Sequence, residues 1–184
     1  MPTESLSYIR ALYLARFREV LAATPDVHIE PALRTSTGEL AVDGDFSLPC
    51  RVDLVSRGGG QRFSVDSNRL HSFEPIVADI DGMRVEVSPF AWDNVSVAVS
   101  GPPSLESAKA LCQWFAAWFD PDDDNPASED GWYEVVHFMS DPTAFGHTTV
   151  VTVDLGSATT SAVEDLFTRL LAVGAKKVQL SQPT

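Results

Sequence analysis

Residues 120–131, Asp120-Pro-Asp-Asp-Asp-Asn-Pro-Ala-Ser-Glu-Asp-Gly131, gather more reactive oxygen than any other stretch of this 184-residue chain: six of the first eleven residues are acidic. Carboxylates at Asp120, Asp122 and Asp124 stand at the alternating positions that open a calcium-binding loop. The match then breaks down. Asn125 stands where glycine would make the sharp turn, and Gly131 stands where a bidentate glutamate would close the cage. The spacing therefore leaves Asp120, Asp122 and Asp124 as a weak calcium candidate, and no other metal site is expected. The acidic run reads more naturally as a solvated loop between a helix and a strand. A sharper reading makes it partner-facing. Asp122, Asp123, Asp124, Glu129 and Asp130 with Trp132 would offer negative charge around aromatic anchors, which is what recognition of a basic protein surface requires.

The remaining reactive side chains form no recognisable constellation. His28, His71, His137 and His147 lack the three- or four-residue spacing of zinc ligands. If the turn after His137 centres on Thr143 and Ala144, His137 faces Val150 and Ser140 faces His147, which keeps the two histidines apart. Gly58-Gly59-Gly60 runs between two strands instead of into a helix, so it reads as a hairpin loop and not a phosphate cradle. No Gly-x-Ser-x-Gly elbow occurs. Cys50 and Cys112 lack metal spacing, and Cys112 falls on an apolar helical stripe. No catalytic residue and no cofactor is expected, and the balance leans against an enzyme.

Charge narrows the partners. The net charge is −13, with −4 on residues 1–91 and −9 on residues 92–184. Such a surface repels a phosphate backbone and an anionic bilayer, so neither nucleic acid nor membrane is expected as a partner. No apolar run is long enough to span a bilayer. The N-terminus lacks the basic and apolar regions of a signal peptide, and a reducing, cytoplasmic setting is expected. The oligomeric state is not encoded in any pattern here.

The elements that must position these residues are clearer. Val95, Val97 and Val99 alternate within 93–99, and Val151, Val153 and Leu155 alternate within 148–155; both segments read as half-buried strands. Residues 105–119 and 161–173 carry apolar stripes at helical spacing, with Ser104 and a Ser161–Glu164 capping box as expected starts and Gly174 as the stop. With strands at 132–139 and 177–180, residues 92–184 read as βαββαβ. That order suggests a ferredoxin-like sheet with spatial strand order 4-1-3-2 and the last strand at an edge guarded by Lys176 and Lys177. Upstream, residues 5–23 form an amphipathic helix ended by Pro25. An antiparallel β-meander follows, with strands at 39–42, 51–56, 61–67, 76–80 and 83–87, and the Asp81-Gly82 hairpin is its strongest signal.

The chain is therefore expected to be one α+β domain comprising a helix plus β-meander over 1–91 and βαββαβ over 92–184. Its expected role is that of a non-catalytic acidic interaction or regulatory protein that binds and inhibits a basic partner, as immunity-type proteins do. The alternative is a small-molecule sensor or enzyme that uses an open sheet face bearing Asn94, Ser96 and Ala98, with Trp92 lining it.

Overall fold

The computed structural model describes residues 3–65 and 70–183. Helix α1 (Thr3–Ala23) leads into short strands β1 (Val27–Ile29), β2 (Val42–Asp43), β3 (Leu48–Pro49), β4 (Leu54–Ser56) and β5 (Arg62–Phe63). The hairpin β6 (Ile76–Ile80) and β7 (Met83–Val87) follows, then β8 (Val95–Ser100) and α2 (Ser104–Phe119). The chain closes with β9 (Phe138–Met139), β10 (Thr143–Phe145), β11 (Thr148–Asp154), α3 (Thr160–Ala172) and β12 (Lys177–Ser181). The fold is mixed α+β.

The main sheet runs β10-β11-β8-β12-β7-β6, with β9 also paired to β11. The two valine-rich strands are neighbours, antiparallel, with Val97 opposite Val151 and Val95 opposite Val153. Every second residue on β8, β11 and β12 is buried. That buried face packs against α2 and α3, whose inward side chains include Leu111, Phe115, Leu166 and Leu170. Each of these large apolar side chains stabilises the fold by about 1.5–3 kcal/mol through burial. One core cluster runs from Leu6 and Phe17 on α1 through the sheet to Leu180.

Several sequence expectations need correction. Strand β12 is not an edge. It lies between β8, antiparallel, and β7, parallel. Lys177 does not guard an open ladder but pairs with Glu86 on β7 at 2.7 Å. The meander does extend the sheet, but only through β6–β7; β1-β4-β5 and β2-β3 form separate small sheets. The far end of the strand expected over 61–67 lies outside the described residues. The strand expected over 132–139 shrinks to Phe138–Met139. Glu134 takes a left-handed conformation (φ 58°), and the amides of Val136 and His137 bond to Trp118 and Asp154 on different elements. Neither expected helix cap forms: the caps are Pro103 and Thr159, without side-chain bonds. Gly174 (φ 87°) does end α3, and Asp81-Gly82 (φ 50° and 84°) does turn β6 into β7.

Candidate functional site

A buried cluster of ionisable side chains gathers around His137, which sequence spacing set aside. The turn after His137 centres on Gly146 and His147, because Phe145 pairs with Thr148 and Thr143 with Val150. With Met139 opposite Val153 and Phe138 opposite Asp154, that register carries His137 to the Asp154 end of β11. The irregular course of 132–137 then turns the imidazole inward, where it is 1% exposed.

Three carboxylates from three other segments meet it there. Glu30, just past β1 and fully buried, receives His137 Nε2 at 2.7 Å on Oε1. The same oxygen accepts the Ser157 amide, and Oε2 accepts the Tyr133 amide. Asp53, just before β4, accepts the Tyr13 hydroxyl on Oδ1 and the Val65 amide on Oδ2. Asp154, at the end of β11, accepts the Gly156 amide on Oδ1. On the second imidazole nitrogen, Nδ1, Asp53 Oδ1 lies at 3.1 Å and Asp154 Oδ2 at 3.8 Å. Neither makes a hydrogen bond to Nδ1, which is buried without one. Gly156 (φ 52°) is required beside the ring, since a Cβ there would lie 2.6 Å from both His137 Nε2 and the Val135 carbonyl.

The electrostatics follow from this enclosure. Burial opposes charge on His137, but Asp154, Asp53 and Glu30 outweigh it and hold the imidazole pKa well above its usual 6.5. Burial also pushes Glu30 and Asp53 upward, and in both the imidazole and the amide donors win, leaving them below the ordinary carboxylate range. Asp154 goes the other way. Desolvation dominates the pull of His137 and, with Asp53 nearby, raises it to about 7. Its side chain retains 25% exposure, so this corner of the cluster communicates with solvent. Chemically, the arrangement can hold a proton or a cation among carboxylates. Both imidazole nitrogens face the protein's own acids, so neither is turned toward a substrate.

The acidic loop is built differently. Arg51, 6% exposed, reaches under it. Its guanidinium donates to the carbonyls of Glu30, Phe119 and Asp120 and to the Asp123 carboxylate, and it lies 4.8 Å over the Phe119 ring. Arg34 takes the other Asp123 oxygen at 2.7 Å and the Pro121 carbonyl. Asp120 spends both oxygens on the amides of Asp124 and Asn125. The weak calcium candidate Asp120, Asp122 and Asp124 is thus not assembled into a cage. Among the described residues, the donors gathered closely enough to share one ion are Asp53, His137 and Asp154. Asp122, Asp124, Glu129 and Asp130 are exposed, with Asp130 3.6 Å from Arg18. Trp132 is 3% exposed and packs on Phe17 in the core, so of the expected loop contacts the carboxylates alone face outward.

The sheet face expected for a ligand bears half-buried Ser96 and Ala98, opposite Thr152 and Gln179. Trp92 does not line it; its ring is fully buried and donates to the Gly156 carbonyl. A cleft of about 500 Å³ opens elsewhere, beneath the acidic loop, lined by His28, Glu30, Arg34, Arg57, Asp123 and Tyr133 among others. Among the described residues no helix is long and apolar enough to cross a membrane. No family model, curated protein or solved structure matches the chain.

Proposed function

We propose that this is a non-catalytic, acidic interaction protein whose loop 120–131 docks a basic protein partner, in the manner of an immunity-type inhibitor. The observation that carries the reading is the fixation of the loop. Arg51 and Arg34 hold its backbone from below while Asp122, Asp124, Glu129 and Asp130 point to solvent. A charged loop already held in place loses little conformational freedom on binding, and its charge speeds encounter with an oppositely charged surface. The turning of both His137 nitrogens toward the chain's own carboxylates supports the non-enzymatic side of the reading. The shared core supports a single working unit. Strands β12, β8, β11 and β9, adjacent in that order, support a ferredoxin-like description of residues 92–184. We place the protein in the cytoplasm on its composition and its two free thiols.

A second reading is a small-molecule sensor. The cleft beneath the loop favours it over the sheet face, because its volume lies within the usual range of about 300–1,000 Å³ for ligand sites.

The two readings separate in an affinity capture from native lysate. The wild-type chain is expected to retain a basic protein at low salt and release it at high salt, because a Debye length shrinks to about 3 Å at 1 M. A variant with Asp122→Asn, Asp124→Asn, Glu129→Gln and Asp130→Asn is expected to lose that protein while keeping its fold. Equal capture by the variant would rule out the loop as the docking surface.

A further inference from the structure

We infer that Asp53 Oδ1, His137 Nδ1 and Asp154 Oδ2 form a binding site for a divalent transition-type cation, with Glu30 as the carboxylate that orients the imidazole. The inference goes beyond the docking role and uses none of the loop's residues.

It begins from Glu30. A buried carboxylate on Nε2 keeps a proton on that nitrogen, so a cation that displaces the Nδ1 proton meets a lone pair directed at the two aspartates. Histidines that bind metals are oriented in this way, with the other ring nitrogen donating to a carboxylate or carbonyl. Nδ1 is also the ring nitrogen that makes no hydrogen bond: it is buried and lies between Asp53 and Asp154. The other oxygens of those two residues are fixed by the Val65 and Gly156 amides, and Asp53 Oδ1, which also accepts the Tyr13 hydroxyl, and Asp154 Oδ2 are the atoms turned toward it.

The separations suit an ion. Bonds of about 2.0–2.2 Å place neighbouring ligand atoms about 3.0 Å apart at right angles and about 3.4 Å apart at the tetrahedral angle. The observed 3.1 Å lies within that range and 3.8 Å a little beyond it, and one ligand atom from each of the three residues lies within 4.8 Å of the others. Charge points the same way. With Glu30 included, three carboxylates surround one imidazole, while the nearby guanidinium of Arg51 is engaged by carbonyls and Asp123. One nitrogen and two oxygens select zinc, manganese or ferrous iron over magnesium and calcium, which favour all-oxygen shells. The partly exposed Asp154 provides the way in.

The test is a Zn²⁺ titration of the chelator-stripped full chain, followed by calorimetry, by thermal unfolding and by the ¹⁵N spectrum of labelled histidine, with Mg²⁺ as control. One equivalent of Zn²⁺ is expected to bind, raise the unfolding temperature and move the His137 Nδ1 signal, while Mg²⁺ does none of these. Asp154→Asn, whose amide oxygen still accepts from Gly156, is expected to weaken Zn²⁺ binding about 100-fold or more, since losing even an outer partner of a ligand costs about 10–100-fold. Absence of one-to-one binding would overturn the assignment. So would Zn²⁺ shifts confined to His28, His71 and His147, a reading that needs no variant. Undiminished affinity in a folded Asp154→Asn chain would overturn it as well.

Discussion

Replacing His137 by alanine is expected to cost about 3–5 kcal/mol of folding stability, the usual loss when one partner of a buried ion pair is removed. The substitution leaves Glu30 and Asp53, 0% and 7% exposed, without the imidazole that both of them face. The cavity adds to the loss, but the stranded charges dominate. Urea unfolding at neutral pH in the presence of a chelator measures it; a loss below about 1 kcal/mol would show that the carboxylates are held by their amide donors alone. The pH profile carries a second signature. Because the folded-state pKa of His137 lies above its unfolded value, its pairing stabilises fully below about pH 6.5 and fades as the pH rises through the folded value. Glu30 and Asp53, with depressed pKa values, stabilise above about pH 4.5 and fade as the pH falls through those values. His137→Ala is therefore expected to remove the alkaline decline contributed by this group and to diminish the acid one.

Arg51→Met should be nearly as damaging, again by about 3–5 kcal/mol, and for a different reason. Three carbonyls, from Glu30, Phe119 and Asp120, converge on this one guanidinium. A buried acceptor stripped of its donor costs about 1–3 kcal/mol. The side chain also joins the two halves of the chain, since Glu30 belongs to one and Phe119 and Asp120 to the other. Lysine should not rescue it, because an ammonium cannot reproduce the planar fork that meets several acceptors at once. Alongside the stability loss, amide exchange in residues 120–125 is expected to quicken, since Arg51 and Arg34 bond to Asp120, Pro121 and Asp123. An Arg51→Lys chain within about 1 kcal/mol of wild type, below the cost of one stranded acceptor, would refute this account of the loop.

Much of the frame is legible in the amino-acid sequence. Val95, Val97 and Val99 alternate because one sheet face is buried, and the partner pattern at Val151, Val153 and Leu155 made their adjacency predictable. Asp81-Gly82 announced its hairpin because two successive residues at positive φ favour that pair of residue types. The edge assignment of β12 failed because lysines near a strand signal either an open edge or a carboxylate neighbour, and Glu86 is the neighbour. The His137 cluster was hidden by topology. Its four members are separated by 23, 84 and 17 positions, and a turn placed at 143–144 instead of 146–147 moved His137 away from Asp154. A signal was nevertheless present. Glu30 follows Val27-His28-Ile29, Asp53 is flanked by Val52 and Leu54, His137 follows Val135-Val136, and Asp154 is flanked by Val153 and Leu155. Ionisable residues embedded in apolar runs have to find one another once buried.

The loop was legible as acidic but not as clamped, because nothing in the spacing of Asp120, Asp122, Asp123 and Asp124 reveals that Arg51 and Arg34 lie beneath. Likewise Trp132 looked like a binding anchor because an aromatic beside a polar loop reads the same whether it faces a partner or the core; contact with Phe17 decides it.

The most direct test of the cluster is the ring titration of His137 by NMR in the chelator-stripped protein. The carboxylates of Glu30, Asp53 and Asp154 predict an imidazole still protonated well above pH 6.5, with a slowly exchanging Nε2 proton bonded to Glu30. A ring that titrates at or below pH 6.5, or an Nε2 proton that exchanges freely with water, would contradict it.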